Sequence, residues 1–368
     1  MPSQPILGPS IAGEITHLSG AIVVPPPKGD VNRSVQKSGV LTAEGAFEER
    51  SITWRNGTQV NTEPPMPEAG EIEDLPGRWM YAGPLFGHFG HFLVESIARI
   101  WAVETLKGKI DGIVFVPKFQ NRPQYILSVF EPMLRGLGVD VEIRNLEDPT
   151  RVEELYVPQQ GFGMFEMIEG APEFRDFINA HAGKGVEPKG PEKIYIARSA
   201  LPPARGSLLG EARLEELLEA EGYTIYHPQK DSFDEQMATY KAARRIISVD
   251  GSPLHMAALV GDRDLKVACI ARRKGDLDEI FARQFRAFKN VEVTTISALV
   301  QDWIPETDNR PSRVSFGEVD FGVLYDRLKA GGFISGEERW VPFDDESRAG
   351  LLDELATSQK VGFKPFRT

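Results

Sequence analysis

Between residues 194 and 270 the sequence alternates short apolar runs with longer, mixed-polarity runs. The short runs predict strands at 194–197, 223–226, 245–249 and 266–270. The longer runs predict helices at 208–221, 232–243 and 253–260. Alternation of this kind predicts parallel strands joined by right-handed crossovers, a doubly wound sheet. Such sheets bind ligands beyond the carboxyl ends of their strands, so functional residues are expected there.

The first half shows a looser version of the same pattern. A continuous apolar run at 112–117 predicts a buried strand, and a helix with Pro near its start and Gly at its end follows at 123–136. Before it, 51–60 predicts a hairpin that turns at Asn56-Gly57. A Gly-, Pro- and Lys-rich stretch at 182–191 predicts an interdomain linker.

These patterns predict an α/β protein with two Rossmann-like, doubly wound domains that face a cleft. The expected segments are a β-rich N-terminal extension at 1–70, one domain at 71–185, a second at 186–300 and a C-terminal, largely helical extension at 301–368. The sequence does not decide whether this last segment packs against the first domain. The sequence also does not decide between a monomer and an oligomer.

The charge and composition of the chain argue against several classes of protein. A net charge of −12 over 368 residues argues against nucleic-acid binding, which requires a basic footprint. The single cysteine, Cys269, excludes a disulfide framework and a cysteine-based zinc site, and it fits a reducing compartment. With no signal-like start and no run near the ~18 apolar residues of a membrane span, we expect a cytoplasmic protein with at most peripheral membrane contact.

The densest group of chemically active side chains is His88, His91 and Glu95, at the predicted start of a helix. His91 and Glu95 are four residues apart and can meet on one helix face, where the pair suits general-base catalysis. In the simpler alternative, one histidine caps the helix and the other packs among aromatic rings. A metal site built from all three is a further alternative, although a spacing of three between histidines is unusual for zinc.

Two further groups follow predicted strands of the second half. Arg198 and Arg205 come after the first strand, where guanidinium groups can bind phosphate oxygens in pairs. Asp250, Gly251 and Ser252 follow the third strand, with His255 in the next helical turn, and they form a candidate anion cradle. The simpler alternatives are solvated arginines on a loop, and a tight turn in which Ser252 is the N-cap.

Glu235 is explained structurally by a capping box with Ser232, although it could also reach a ribose. Asp262 and Asp264 form an Asp-x-Asp triplet, but they precede a strand and so lie at the wrong end of the sheet. We interpret that triplet as a solvated turn.

Taken in order, these groups resemble the pattern of glycosyltransferase family 61. The resemblance spans roughly residues 79–260, and it rests on His88 to Glu95, Arg198 with Arg205, Glu235-Gln236 and the 250–255 turn. The chain departs from the family at Gly206-Ser207, where many relatives have a basic residue and then an Asn-Glu pair. Glu211 is the candidate counterpart of that glutamate.

The resemblance implies a GT-B-like enzyme that transfers a hexosyl or pentosyl group with inversion. The donor would be a nucleotide-sugar of the UDP-sugar type, bound mainly by the second domain, with no obligatory metal or other cofactor. The first domain would bind a glycan or lipid-linked glycan acceptor, as in capsular polysaccharide synthesis.

In that scheme the base is His88 or His91, and Glu95 either orients it or is itself the base. The residues expected to bind the nucleotide-sugar are Arg198, Arg205, Glu235, Asp250, Gly251, Ser252 and His255. Two alternatives remain: a metal-dependent hydrolase that uses His88, His91 and Glu95, and a non-catalytic nucleotide- or sugar-binding relative, which the altered loop at 205–207 would permit.

Overall fold

The computed structural model describes residues 3–5, 7–29, 34–202, 205–275 and 277–367. The chain divides into two compact units, Met1–Val186 and Glu187–Thr368. This boundary lies inside the stretch in which the sequence predicts a linker.

The strands are β1 (Ile15–Val24), β2 (Gln36–Lys37), β3 (Gly39–Leu41), β4 (Trp54–Arg55), β5 (Thr58–Gln59), β6 (Asn61–Thr62), β7 (Glu73–Leu85), β8 (Gly112–Pro117), β9 (Glu142–Asn145), β10 (Thr150–Pro158), β11 (Lys193–Ile196), β12 (Thr224–Tyr226), β13 (Arg245–Val249), β14 (Lys266–Ile270), β15 (Val293–Ile296), β16 (Leu299–Pro305), β17 (Phe316–Val319) and β18 (Phe363–Pro365). The helices are α1 (Phe89–His91), α2 (Ala102–Thr105), α3 (Pro123–Gly136), α4 (Pro172–His181), α5 (Glu211–Ala220), α6 (Phe233–Ala242), α7 (Pro253–Val260), α8 (Leu277–Lys289), α9 (Phe321–Ala330) and α10 (Asp345–Gln359). Short 3₁₀ and π turns connect several of them.

The first unit contains a mixed six-stranded sheet in the order β3-β1-β10-β7-β8-β9. Strands β10, β7, β8 and β9 are parallel, whereas β1 is antiparallel to both of its neighbours. The N-terminal segment is therefore part of this sheet and not the separate extension expected from the sequence. The physical reason is burial: Ala21 and Val23 on β1 share a core with Val152 and Leu155 on β10.

The predicted hairpin is present, as β4 and β5 pair antiparallel across Asn56-Gly57. Both turn residues have positive φ, 48° and 69°, as a tight hairpin turn of this type requires. The Gln160 side chain accepts a hydrogen bond from the Trp54 N–H at 2.7 Å and donates one to the Trp54 carbonyl at 3.2 Å. These bonds fix the residue that precedes Arg55.

The second unit confirms the doubly wound prediction. Its five-stranded sheet has the order β12-β11-β13-β14-β15, and every neighbouring pair is parallel. The order of strands reverses direction between β11 and β13. Sheets of this kind bind ligands at this switch point. The apolar runs of the sequence predict β11 to β14 but not β15, whose residues Val293–Ile296 include two threonines and so form no apolar run.

The C-terminal segment belongs to the second unit. Helices α9 and α10 fit the largely helical character expected for this segment, but the three-stranded sheet β17-β16-β18 was not expected. The sequence left open packing against the first domain; instead, Phe321, Leu324 and Leu328 of α9 share the core of the second sheet. Among the described residues, no helix has the length and apolarity needed to cross a membrane.

Candidate functional site

In the first unit, three side chains form a hydrogen-bonded chain that ends on a histidine. Glu95 is fully buried, and both of its oxygens accept bonds from Arg55, at 2.6 Å from Nε and 2.6 Å from Nη2. His91 Nδ1 lies 2.7 Å from Glu95 Oε2. Residues 89–96 do not form the continuous helix predicted by the sequence, because a π turn at Phe92–Ser96 follows α1. His91 and Glu95 nevertheless meet at the expected spacing of four.

The protonation state of this chain follows from its contacts. Burial alone would raise the pKa of Glu95, but hydrogen bonds from His91 and Arg55 and the Arg55 charge outweigh burial, and the pKa is lowered. Glu95 is therefore a carboxylate at neutral pH. Because a carboxylate only accepts hydrogen bonds, Nδ1 of His91 carries the proton and Nε2 is the basic atom of the ring.

His88 lies next to this chain. Its ring centroid is 5.3 Å from that of His91, and the residue is exposed. His88 occupies the N-cap position of α1 without a capping bond from its side chain, so the structure does not show the cap that the simpler alternative proposed.

Arg55 is the residue that sequence reasoning missed in this unit. It lies 40 residues before Glu95, at the end of β4, and it also places its guanidinium 5.6 Å from the centroid of the Phe86 ring. The hairpin signal at Asn56-Gly57 placed Arg55 beside a turn, but nothing local connected that turn to Glu95.

These contacts do not suit the metal-site alternative. Among the described parts of the chain, no group of three or more His, Cys, Asp or Glu side chains is placed to hold a metal ion. Both oxygens of Glu95 are also bonded to a cation already. No finding supports the metal-dependent hydrolase.

In the second unit, Arg198 lies just after β11, at the switch point of the sheet. Its N–H donates to Glu211 Oε1 at 2.9 Å, and its Nε donates to the Gly206 carbonyl at 2.9 Å. Its Nη1 lies 3.2 Å from the position that a Cβ on residue 251 would occupy. The structure therefore brings together Arg198 and Gly251, which the sequence placed after neighbouring strands.

Glu211 supports the loop that holds Arg198. It is buried at the start of α5, and it accepts hydrogen bonds from the hydroxyls of Tyr195 at 2.8 Å and Ser207 at 2.5 Å. Burial raises the pKa of Glu211, although hydrogen bonds from Ser207 and Arg198 oppose the rise. Glu211 therefore positions the loop through three bonds.

The departure from the family pattern at Gly206-Ser207 has a packing explanation. A Cβ on Gly206 would lie 2.0 Å from the Ser315 carbonyl oxygen, and the Gly206 N–H donates to the Arg313 carbonyl at 2.8 Å. The C-terminal segment before β17 therefore fills the space of a side chain at position 206. Arg205, on the same loop, is exposed.

Asp250 is tied to Arg272, a second residue that the sequence analysis did not single out. Asp250 is 2% exposed, and its Oδ1 accepts from the Arg272 N–H at 2.9 Å. Burial raises the pKa of Asp250 against the opposing charge of Arg272, and burial lowers the pKa of Arg272 to about 10. Arg272 follows β14 and carries no local sequence signal.

Two of the residues predicted to bind the nucleotide-sugar make their hydrogen bonds to other side chains or backbone of the protein. His255 is buried, and its Nδ1 lies 2.6 Å from Gln284 Oε1 on α8. Glu235 forms the capping box with Ser232, whose N–H donates to it at 2.8 Å. Ser252 makes no N-cap bond, and Asp262 pairs with Arg244 at 2.9 Å in the turn before β14.

Fold and site together define a mixed α/β protein that presents charged groups at the carboxyl ends of parallel strands. Comparison with protein families shows that the model described as Glycosyltransferase 61 matches residues 89–263. This match supports the assignment of the chain to glycosyltransferase family 61 and indicates a glycosyltransferase. The match includes His91, Glu95, Arg198 and Gly251, whereas Arg55 and Arg272 lie outside it. No curated protein matches the chain.

Proposed function

We propose that this glycosyltransferase is an inverting, GT-B-type enzyme that moves a sugar from a nucleotide-sugar donor to a glycan or lipid-linked glycan acceptor. The observation that supports it best is the Arg55–Glu95–His91 chain, since it leaves Nε2 of one partly exposed histidine as a base. Two compact units, each with its own set of parallel strands, support the GT-B assignment.

In the proposed reaction, His91 Nε2 removes the proton from an acceptor hydroxyl. The oxygen then attacks the anomeric carbon of the donor as the bond from that carbon to the diphosphate oxygen breaks. The electron pair leaves with the diphosphate, and a single displacement inverts the configuration. The Glu95 carboxylate stabilises the imidazolium that forms, as the acidic member of a hydrolase triad does.

The second unit would bind the donor. Arg198 and Arg205, with the backbone at Gly251 and Ser252, would hold the diphosphate and neutralise its charge as it leaves. On this proposal the reaction needs no metal ion. His255 and Glu235, which are engaged within the fold, are not required. The single, buried Cys269 supports a cytoplasmic location, where thiols stay reduced.

A binding screen followed by product analysis tests the proposal. Thermal shift with UDP, GDP, CDP and ADP identifies the nucleotide, because a ligand that binds only the folded state raises the melting temperature. NMR of the product of the matching nucleotide-sugar then gives the anomeric configuration, with and without a chelator. Failure to bind any of the four nucleotides, or a product with retained configuration, would contradict the proposal.

A further inference from the structure

Arg272 holds Asp250 but does not use all of its donors in doing so. Its Nε donates to the Asp250 carbonyl at 3.1 Å and lies 3.4 Å from the Asp250 carboxylate, while its main-chain N–H donates to Oδ1. The side chain is 6% exposed. Its Nη1 is buried and has no hydrogen-bond partner among the described residues.

The buried, unpaired Nη1 of Arg272 indicates that a ligand accepts its hydrogen bond. Buried polar groups in proteins almost always have partners, and a charged donor without one is especially unfavourable. The Asp250 carboxylate already bonds to the Arg272 backbone, and the Glu211 carboxylate accepts from Tyr195, Ser207 and the Arg198 N–H. Neither carboxylate bonds to Nη1, which has no acceptor among the described residues.

A second guanidinium flanks the same peptide unit. Arg272 Nε is bonded to the carbonyl of Asp250, and Arg198 Nη1 lies 3.2 Å from the Cβ position of Gly251, the next residue. The charge of Arg198, with that of Arg273, disfavours the protonated form of Arg272 and adds to the effect of burial on its pKa. An anion at this peptide would offset both charges and accept from Nη1.

We propose that Arg272 is a further anion-binding residue, and that its Nη1 binds the diphosphate of the nucleotide-sugar beside Arg198. This inference rests on the proposed function, since it names an additional contact to the same donor. Arg272 lies outside the 89–263 region that matches the family. Two guanidinium groups that bind phosphate oxygens in pairs would replace the charge that a divalent cation gives to many diphosphates.

Calorimetric titration of the full chain tests this contact, with UDP, inorganic pyrophosphate and uridine as probes. We expect Arg272→Gln to weaken the binding of UDP and pyrophosphate at least tenfold and to leave uridine binding unchanged. Arg272→Lys keeps the charge but replaces the planar guanidinium by one nitrogen, which cannot occupy the positions of both Nε and Nη1, so an intermediate loss is expected. Arg263→Gln is the matched control, because Arg263 lies in the exposed turn before the same strand, and it should change affinity less than twofold.

The outcomes separate the two proposals. If the wild type binds none of the four nucleoside diphosphates of the screen, the proposed function fails, and this inference fails with it. If the wild type binds UDP and Arg272→Gln or Arg272→Lys binds it within twofold of the wild type, only the role of Arg272 is overturned. Should Arg272→Gln not fold, the Asp250→Asn/Arg272→Gln pair removes both buried charges together and takes its place in the same titrations.

Discussion

His91 and Glu95 form the pair on which the proposed chemistry depends. Replacing His91 by Ala removes the base but leaves the donor residues of the second unit untouched. We expect kcat to fall about 10²–10⁴-fold, the usual contribution of a general base, with little change in KM for the donor. Steady-state transfer assays measure both constants. His17→Ala is the control, because His17 also pairs with a glutamate, Glu154, but at the surface of the same unit; an equal loss there would contradict the assignment.

The Arg55–Glu95 pair makes a prediction about stability. Removing one member of a fully buried ion pair costs about 3–5 kcal/mol. Because Arg55 is 29% exposed and His91 still donates to Glu95 after the change, we expect Arg55→Met to lower the free energy of unfolding at neutral pH by less than this, about 1–3 kcal/mol. Urea titration gives the value, and Arg50→Met, which removes an exposed pair with Glu14, should cost less than about 1 kcal/mol.

The same carboxylate predicts how stability depends on pH. Since the pKa of Glu95 is lower in the folded state, its ionised form stabilises the protein above the unfolded pKa, and this contribution is lost as the pH falls through the folded value. Glu95→Gln should therefore be less stable than the wild type at pH 7, with the gap closing as the pH is lowered into the acid range. A gap that stays constant in urea titrations across that range would show that Glu95 is not the titrating group.

The close packing of the loop between β11 and α5 predicts that an added side chain there lowers both stability and donor binding. Gly206→Ala places a methyl group against the Ser315 carbonyl, and overpacking of this kind costs about 1–3 kcal/mol. We expect a lower melting temperature and weaker UDP binding, because the same loop accepts the Arg198 Nε bond through the Gly206 carbonyl. Gly350→Ala is the control: a Cβ there meets no atom within 4 Å, and the residue lies in α10. That change should be neutral or stabilising.

Elements differ in how far local sequence determines them. Strands β11 to β14 were predictable because each apolar run is bounded by its own turn and helix signals, and the site residues simply follow those runs. Arg55 and Arg272 were not, since each acts on a carboxylate about 40 or 22 residues away in the chain. The role of Gly206 depends on Ser315, more than 100 residues later, so a local pattern suggested only a departure from the family.

At the scale of the whole molecule, the residues proposed to bind the diphosphate all belong to Glu187–Thr368, a unit with its own parallel sheet and core. We expect a fragment of residues 187–368 to fold when expressed alone and to bind UDP within about tenfold of the full chain, as domains with their own cores commonly do. Calorimetry measures the affinity, and the Arg198→Gln fragment is the control that should lose it. A folded fragment without UDP affinity would contradict the assignment of the donor residues to this unit.

Strand β1 has a consequence for biosynthesis. Of its two neighbours in the sheet, β10 begins only at Thr150, so residues Ile15–Val24 leave the ribosome well before the strand that completes their hydrogen bonds. At the usual rate of about 5–20 residues per second, this apolar segment waits about 6–25 seconds with an unpaired edge. Newly made chains would therefore pass through a period of aggregation risk that the finished sheet does not show, and a chaperone that shields this strand would raise the yield of the first unit.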